Sequence, residues 1–455
     1  MTAAVPPAEL RDAVSGLGIA AAWVGICAMA FSGWAQAPVL AVAGLALFAA
    51  PQLRAAGRMA HVHLTVGAGF ALAAVLLLPD PGPALFDAAV RGAFIAVIFA
   101  ALGTLRAAAQ GAGWVVRTAR MLVRQPPGRR YWAIAGGGSL FGAILSFGSV
   151  PLLAGMIQDA NGPAARTPAE RPMMTALLRG FSVVMFWCPT SMAFAIATAT
   201  LPAASWTVMS LLGAACAVLV LTSGRLLDRR SGQGGIAAAE PEAFSARKLA
   251  PLLGLLALIF ALAAGLEAAT GSRLIDGAIL CVPLLALGWL TLAEGRAGPG
   301  RLVRWLARDT PAQRGEILIL VNAAFVGMVV AALAPPSLVD AALAAVPAAL
   351  IAPLALVLIV VLGMLGVNPL VTATALAATV ADAPSAGVSP TLLGAAITIA
   401  WGLAVGSSPG AAATLMIGRF EGATSAEVGL RWNGAHTWTA MALVSGVLML
   451  LHPLL

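Results

Sequence analysis

The chain has 455 residues, 60% hydrophobic and 10% charged, with 26 Lys and Arg against 18 Asp and Glu for a net charge of +8. A soluble protein carries about 25% charged residues, and apolar runs near 20 residues recur here from end to end, so the composition excludes a sizeable soluble domain. The basic excess falls in short loops, where it orients helices in a bilayer, and nucleic acid is not an expected partner.

In chain order, apolar runs predict spans over 16–34, 37–50, 64–79 and 86–106. Glu9, Arg11 and Asp12 precede the first run and no small-residue cleavage site follows it, so it is expected to be a retained span rather than a removed signal. In the basic stretch 117–132, charged and apolar residues alternate at helical spacing, which predicts a segment lying along the membrane surface. An apolar stretch at 133–157 is broken by Phe147-Gly148-Ser149-Val150-Pro151, and a span at 173–200 is broken by Trp187-Cys188-Pro189-Thr190-Ser191. A span at 203–223 and a basic, Gly-rich loop at 224–248 close the first half. The second half has spans at 249–268, 274–293 and 315–334. An apolar stretch at 341–381 is then broken by Gly366-Val367-Asn368-Pro369, a span at 390–418 by Gly406-Ser407-Ser408-Pro409-Gly410, and a last span covers 433–453.

The interruptions repeat. Pro151 and Pro369 are 218 residues apart, and Pro189 and Pro409 are 220 apart. Paired Gly/Pro/polar breaks at matched positions in two halves predict a transporter built from internal repeats. If 133–157 and 341–381 are re-entrant hairpins and the N-terminus is cytoplasmic, five spans separate them, an odd number, and the repeats are inverted. Of the 26 Lys and Arg, only Arg91 and Arg273 then fall outside, as the positive-inside rule requires. The expected fold is an all-α polytopic membrane protein of about 11 transmembrane helices plus two re-entrant hairpins. Its parts are N-terminal spans (1–59), a first inverted repeat (60–230), a cytoplasmic linker (231–248) and a second inverted repeat (249–455). It is expected in the cell's inner (plasma) membrane, with the C-terminus outside.

A hairpin that turns inside the membrane leaves unpaired backbone groups at its tip, tolerated only where they face protein or a water-filled cavity. Helix N-termini there favour an anion, and exposed carbonyls can hold Na⁺. The residues expected to bind a small anionic substrate are Ser149, Pro151, Thr190, Ser191, Asn368, Thr372, Ser407 and Ser408. Those expected at a coupling ion are Gly148, Ser149, Gly366, Asn368 and Gly406. The competing reading of each Ser and Thr is a hydroxyl bonded back to its own helix. Arg179 could meet a carboxylate, although an Arg near a cytoplasmic span end more often snorkels. Glu316 reads as an interfacial cap, and Asn322 in the same span as a further coupling candidate. The acids nearest the spans, Glu267, Asp276, Glu316 and Asp382, all lie near span ends, which favours Na⁺ on neutral ligands over a proton relay. His61 and His63 read as an interfacial loop, and Cys27, Cys188, Cys216 and Cys281 form no CxxC pair, so no metal site or other cofactor is expected.

This order of span, surface arm, hairpin and broken span, twice over, with the Gly366–Pro369 tip, resembles the ion transporter superfamily, and within it the divalent anion/sodium symporters, over residues 60–455. The resemblance implies a Ser-Asn-Thr motif at each tip that holds a substrate carboxylate and helps bind Na⁺. Here the first tip, Gly148-Ser149-Val150-Pro151, keeps only the Ser, and the second keeps Asn368. It further implies a homodimer, a scaffold made of the early spans of each half, and elevator-like movement of the hairpins and broken spans as a block. The expected function is ion-coupled secondary transport of a small carboxylate-type anion. The alternatives on the same fold are an inorganic anion or metalloid exporter and a cation/proton antiporter. No HExxH, nucleophile elbow or phosphate loop occurs, so an enzyme is not expected.

The charge asymmetry makes a direct prediction. With the native cysteines replaced by Ser, cysteines introduced at Ala84 and Gly271 label with an impermeant maleimide from outside, and one at Gly128 labels only after permeabilisation. External labelling at Gly128 would reverse the orientation.

Overall fold

A chain in hydrocarbon must satisfy its own backbone groups. This one does so with helices alone; among the described residues there is no strand. The computed structural model describes residues 8–109, 112–161, 170–230, 242–381 and 387–454. Asp382 and most of the expected linker (231–241) lie outside the described residues.

Four helices open the chain: α1 (Ala8–Phe31), α2 (Ala37–Gln52), α3 (Arg58–Leu77) and α4 (Pro81–Ala109). The amphipathic arm α5 (Gly113–Val123) follows, then α6 (Pro127–Leu145) and α7 (Ser149–Asn161). Next come α8 (Glu170–Ser182), the single turn α9 (Val184–Trp187), α10 (Met192–Thr200) and α11 (Trp206–Arg230). In the second half, α12 (Ala246–Thr270) and α13 (Leu274–Glu294) lead to the short α14 (Ala297–Arg304) and α15 (Thr310–Ala312), and then to α16 (Arg314–Leu333). A second arm, α17 (Pro336–Ala344), precedes α18 (Ala348–Met364) and α19 (Pro369–Ala381). The chain closes with α20 (Pro390–Ser407), α21 (Ala412–Glu421) and α22 (Gly434–Leu451).

Twelve helical stretches among the described residues are long and apolar enough to cross a membrane. One of them, Gly128–Asp159, is not a single rod. At Ser146 the backbone turns to φ 50° and ψ −136°, and α6 and α7 fold back into contact with each other. Eleven spans remain beside that hairpin and a second one, α18–α19, whose arms also meet and whose tip turns at Gly366 with φ 95°. A positive φ is nearly free for Gly and strained for a side-chain-bearing residue. The two tips therefore solve the same turn, one with Gly and one with Ser.

The hairpins differ in extent from the sequence reading. Pro126 and Pro127 end the arm early, so the first hairpin begins at Pro127 and uses part of the stretch expected to lie on the surface. The second begins at Ala348, because α17 is bent by 113° from α18 and forms an arm of its own.

The chain divides into two compact units, each drawn from both halves of the sequence. Residues 1–110 and 259–335 form the first, which holds the early spans of each half. There α1 and α2 pack closely through small residues: a methyl at Gly44 would sit 2.3 Å from the Ala22 amide nitrogen, and one at Gly18 2.4 Å from that of Phe48. Asn322 is used structurally, donating to the His63 carbonyl at 2.7 Å and tying α16 to α3.

Residues 111–258 and 336–455 form the second unit, with both arms, both hairpins and both broken spans. The broken spans are its core. The most apolar windows of Arg171–Thr200 and Pro390–Glu421 are 89% and 100% buried, against at most 61% in any other span. Each hairpin's first arm packs on the first segment of its own half's broken span, α6 on α8 and α18 on α20. Each return arm packs on the second segment of the other half's broken span, α7 on α21 and α19 on α10. This exchange locks the two repeats together. The α6–α8 contact requires Gly180, where a methyl would lie 2.0 Å from the Ala135 carbonyl oxygen.

Gly180→Ala should therefore cost about 1–3 kcal/mol through overpacking, lowering the melting temperature of the purified protein by several degrees. Gly155→Ala, in the same hairpin with nothing within 4 Å of the added methyl, should be neutral or stabilising by up to about 1 kcal/mol. Equal effects at the two positions would contradict the packing described.

Candidate functional site

Four interruptions lie in the second unit: the hairpin tips at 146–148 and 365–368, and the breaks at 188–191 and 408–411. None contains a charged residue. A helix starts immediately after each: α7 of 13 residues, α19 of 13, α10 of 9 and α21 of 10. Four helix N-termini, whose first N–H groups have no intrahelical partner, thus bring partial positive charge to uncharged breaks.

Each break has a physical cause. In α8–α10, Pro189 lacks an amide hydrogen, and Ser191 takes up an extended conformation (φ −73°, ψ 155°) and caps α10 by accepting from the Phe194 amide at 3.4 Å. The Trp187 indole anchors the chain just before this break by donating to Ser139 Oγ at 3.0 Å. In α20–α21, Ser408 is extended (φ −71°, ψ 130°) ahead of Pro409; its Oγ accepts from the Gly410 amide at 3.2 Å, and its carbonyl accepts from Thr414 Oγ1 at 2.7 Å. At the second tip, Asn368 Oδ1 caps α19 by accepting from the Leu370 amide at 2.9 Å.

Among the described residues, the expected site hydroxyls bond locally, and hydrogen-bond direction sorts them. A hydroxyl facing a carbonyl must donate, which leaves only oxygen lone pairs for a ligand; one facing an N–H must accept, which leaves its O–H free. Ser149, Thr372 and Ser407 donate, to the carbonyls of Ser146 at 2.8 Å, Pro369 at 3.1 Å and Leu403 at 2.8 Å. Ser191 and Ser408 accept and keep an O–H; Asn368 accepts through Oδ1 and keeps its NH₂. Thr190 shares a hydrogen with Cys188 Sγ at 3.2 Å.

Ser149, Thr190, Ser191, Gly406, Ser407 and Ser408 are buried; Gly148, Asn368 and Thr372 are half-buried; Pro151 and Gly366 are exposed. The second tip and the second break are neighbours, since a methyl on Gly410 would sit 3.8 Å from the Gly366 carbonyl oxygen. The ends of α7 and α21 are joined by Gln158, which donates to the Phe420 carbonyl at 2.9 Å. No hydrogen bond among the described residues runs from one of the expected site side chains to another on a different element. No group of three or more His, Cys, Asp or Glu among them has metal-binding geometry.

Sequence reasoning missed a charged cluster beside the second break. Arg179 does not snorkel. It is 3% exposed, donating through Nε to Asn433 Oδ1 at 2.9 Å and through Nη1 to Asp228 Oδ2 at 2.8 Å. Asp228 reads in sequence as part of a basic loop, yet α11 continues through it; Asn433 reads as the edge of a span. Nothing local in either stretch announces the contact.

No family model and no curated protein matches the chain. Among solved structures it is similar to the Alcanivorax borkumensis YdaH transporter, a crystal structure described as having an unusual topology. The TM-score is 0.56 at 17% identity, over 87% of this chain and 98% of that one. At that identity the likeness is one of fold, and it spans both units of this multi-pass membrane protein.

Asn368 separates capping from ligand binding. Asn368→Ala removes the cap and should cost about 0.5–2 kcal/mol in stability. Asn368→Asp retains an oxygen for the Leu370 amide and should melt as the parent does while lacking the NH₂. Melting curves of the two variants test the assignment, which fails if the Asp variant is as destabilised as the Ala variant.

Proposed function

We propose that this protein is a secondary transporter of a small carboxylate-type anion, coupled to Na⁺ and working by alternating access. The observation that carries the reading is the set of four uncharged helix N-termini in one compact unit. Their cross-packing ties each hairpin to the other half's broken span. The fold shared with a known transporter supports transport in general.

On this reading, the groups that retain donors, Ser191, Asn368 and Ser408, bind the carboxylate. The hydroxyls that retain only lone pairs, Ser149, Thr372 and Ser407, serve Na⁺ with neighbouring carbonyls such as that of Gly366. The grouping of early spans in one unit and of hairpins with broken spans in the other supports a fixed scaffold and a moving block. A homodimer in the plasma membrane, with a cytoplasmic N-terminus and an external C-terminus, completes the proposal, as does kinship with the divalent anion/sodium symporters.

A thermal-shift screen of the purified protein against carboxylates, sulfonates and inorganic anions, with and without Na⁺, tests it. A carboxylate should raise the melting temperature, more so with Na⁺, because a ligand that binds only the folded state stabilises it. Ser408→Ala should weaken that binding by about 10- to 100-fold, the loss expected for one hydrogen bond to a charged group. Thr372→Val should instead weaken the Na⁺ dependence. Stabilisation by inorganic anions alone would point to the exporter alternative, and no anion response would overturn the reading.

A further inference from the structure

The second break ends α20, and a helix end leaves its last carbonyls without intrahelical partners. The Gly406 carbonyl, two residues before Ser408, is one of these. It is satisfied from outside by Asn433 Nδ2 at 2.9 Å. Asn433 is 2% exposed, and its other amide atom, Oδ1, accepts from Arg179 Nε. Arg179 in turn is held by Asp228. The amide of Asn433 thus has both ends engaged, and the guanidinium of Arg179 spends two differently directed nitrogens on two partners. The series begins on α11 and α8 in the first half of the chain and ends at Asn433, just before α22, and on α20 in the second.

The surroundings leave the series little room to shift. A methyl on Gly406 would lie 2.6 Å from Ser182 Oγ and 3.2 Å from Asn433 Nδ2. At Gly224 of α11, Tyr131 Oη, Arg179 Nη1 and His436 Nδ1 lie 2.8, 3.0 and 3.0 Å from where a methyl would be. Tyr131 is itself fixed by donating to the Leu221 carbonyl at 2.9 Å. A buried ion pair is a costly way to gain stability alone, because desolvation offsets the Coulombic attraction. Its value here is directional, since it sets the orientation of an amide that sets a carbonyl.

We propose that Asp228, Arg179 and Asn433 are positioning residues acting in series on the Gly406 carbonyl, so that the geometry of the Ser407–Ser408 break depends on an acid of the other repeat. They touch no ligand themselves. The consequence for transport rests on the function proposed above; the geometric claim does not. The two therefore fail separately.

Hydrogen exchange followed by mass spectrometry on the full chain in lipid nanodiscs tests the series without any substrate. The readout is the peptide over 404–412, with a peptide over 314–333 in the other compact unit as the control for global unfolding. Asn433→Asp is nearly isosteric and keeps an oxygen for Arg179, but it has no N–H for Gly406. It should exchange at least about tenfold faster over 404–412 with the control unchanged. Arg179→Lys keeps a charge for Asp228 but has one nitrogen in place of the fork and cannot occupy both the Nε and the Nη1 positions, and should behave likewise. Asp228→Asn should give a smaller increase. The double variant Asn433→Asp/Asp228→Asn should be no faster than Asn433→Asp alone, because links in series do not add. Parental exchange in Asn433→Asp, or multiplicative effects in the double variant, would overturn the proposal. So would acceleration of the control in the isosteric variants, which would make the role one of general stability.

Discussion

Everything in this structure follows from the rule that a backbone N–H or C=O inside hydrocarbon must find a partner within the protein. Among the described residues nine spans obey it by staying helical, and the two broken spans and two hairpins interrupt it at four places. The interruptions occur where side chains can repair most of the damage. Ser191 and Asn368 cap the helices that restart, Ser408 accepts from the Gly410 amide within its own break, Thr414 covers the Ser408 carbonyl, and Asn433 covers that of Gly406. The broken spans are also the most buried elements of the chain. The first break, 188–191, and Ser408 are buried within them, whereas the second tip at Gly366 is exposed.

That repair shapes the chemistry that remains. Capping uses hydrogen-bonding capacity and does so in a definite direction. It leaves some groups with a donor still free and others able only to accept. An uncharged site can in this way distinguish an anion from a cation without a formal charge of its own, with helix N-termini supplying the field. The local bonds of these hydroxyls are therefore compatible with binding; they determine what kind of ligand atom each could meet.

Charge is used one layer away from the break rather than in it. A carboxylate or guanidinium in the interruptions would dominate any ligand field there. Behind the second break, Arg179 and Asp228 neutralise each other and supply orientation. Through its bond to Asn433, Arg179 also joins the halves at the level of side chains, as the packing of each hairpin return arm on the other half's broken span joins them at the level of helices.

The sequence by itself determined the class, the span count and the sites of interruption, because these depend on local chemistry: apolar run length, Pro without an amide hydrogen, and Gly at a turn. Asn368 and Ser408 were legible as special from their Gly and Pro neighbours alone. Tertiary structure decided what was non-local. That Arg179 is buried against Asp228 and Asn433, 49 and 254 residues away along the chain, follows from helix packing that no window of sequence encodes. The arm Pro336–Ala344 was hidden for a related reason. It runs into the apolar stretch of the hairpin it precedes without a long break, and only the 113° bend separates the two. The compact units cut across the sequence repeats because helices of the two halves pack on each other in both, α4 on α13 and α16 in the first and the hairpin return arms on the other half's broken span in the second. Burial of apolar area rewards any partner surface that fits, whatever its place in the chain.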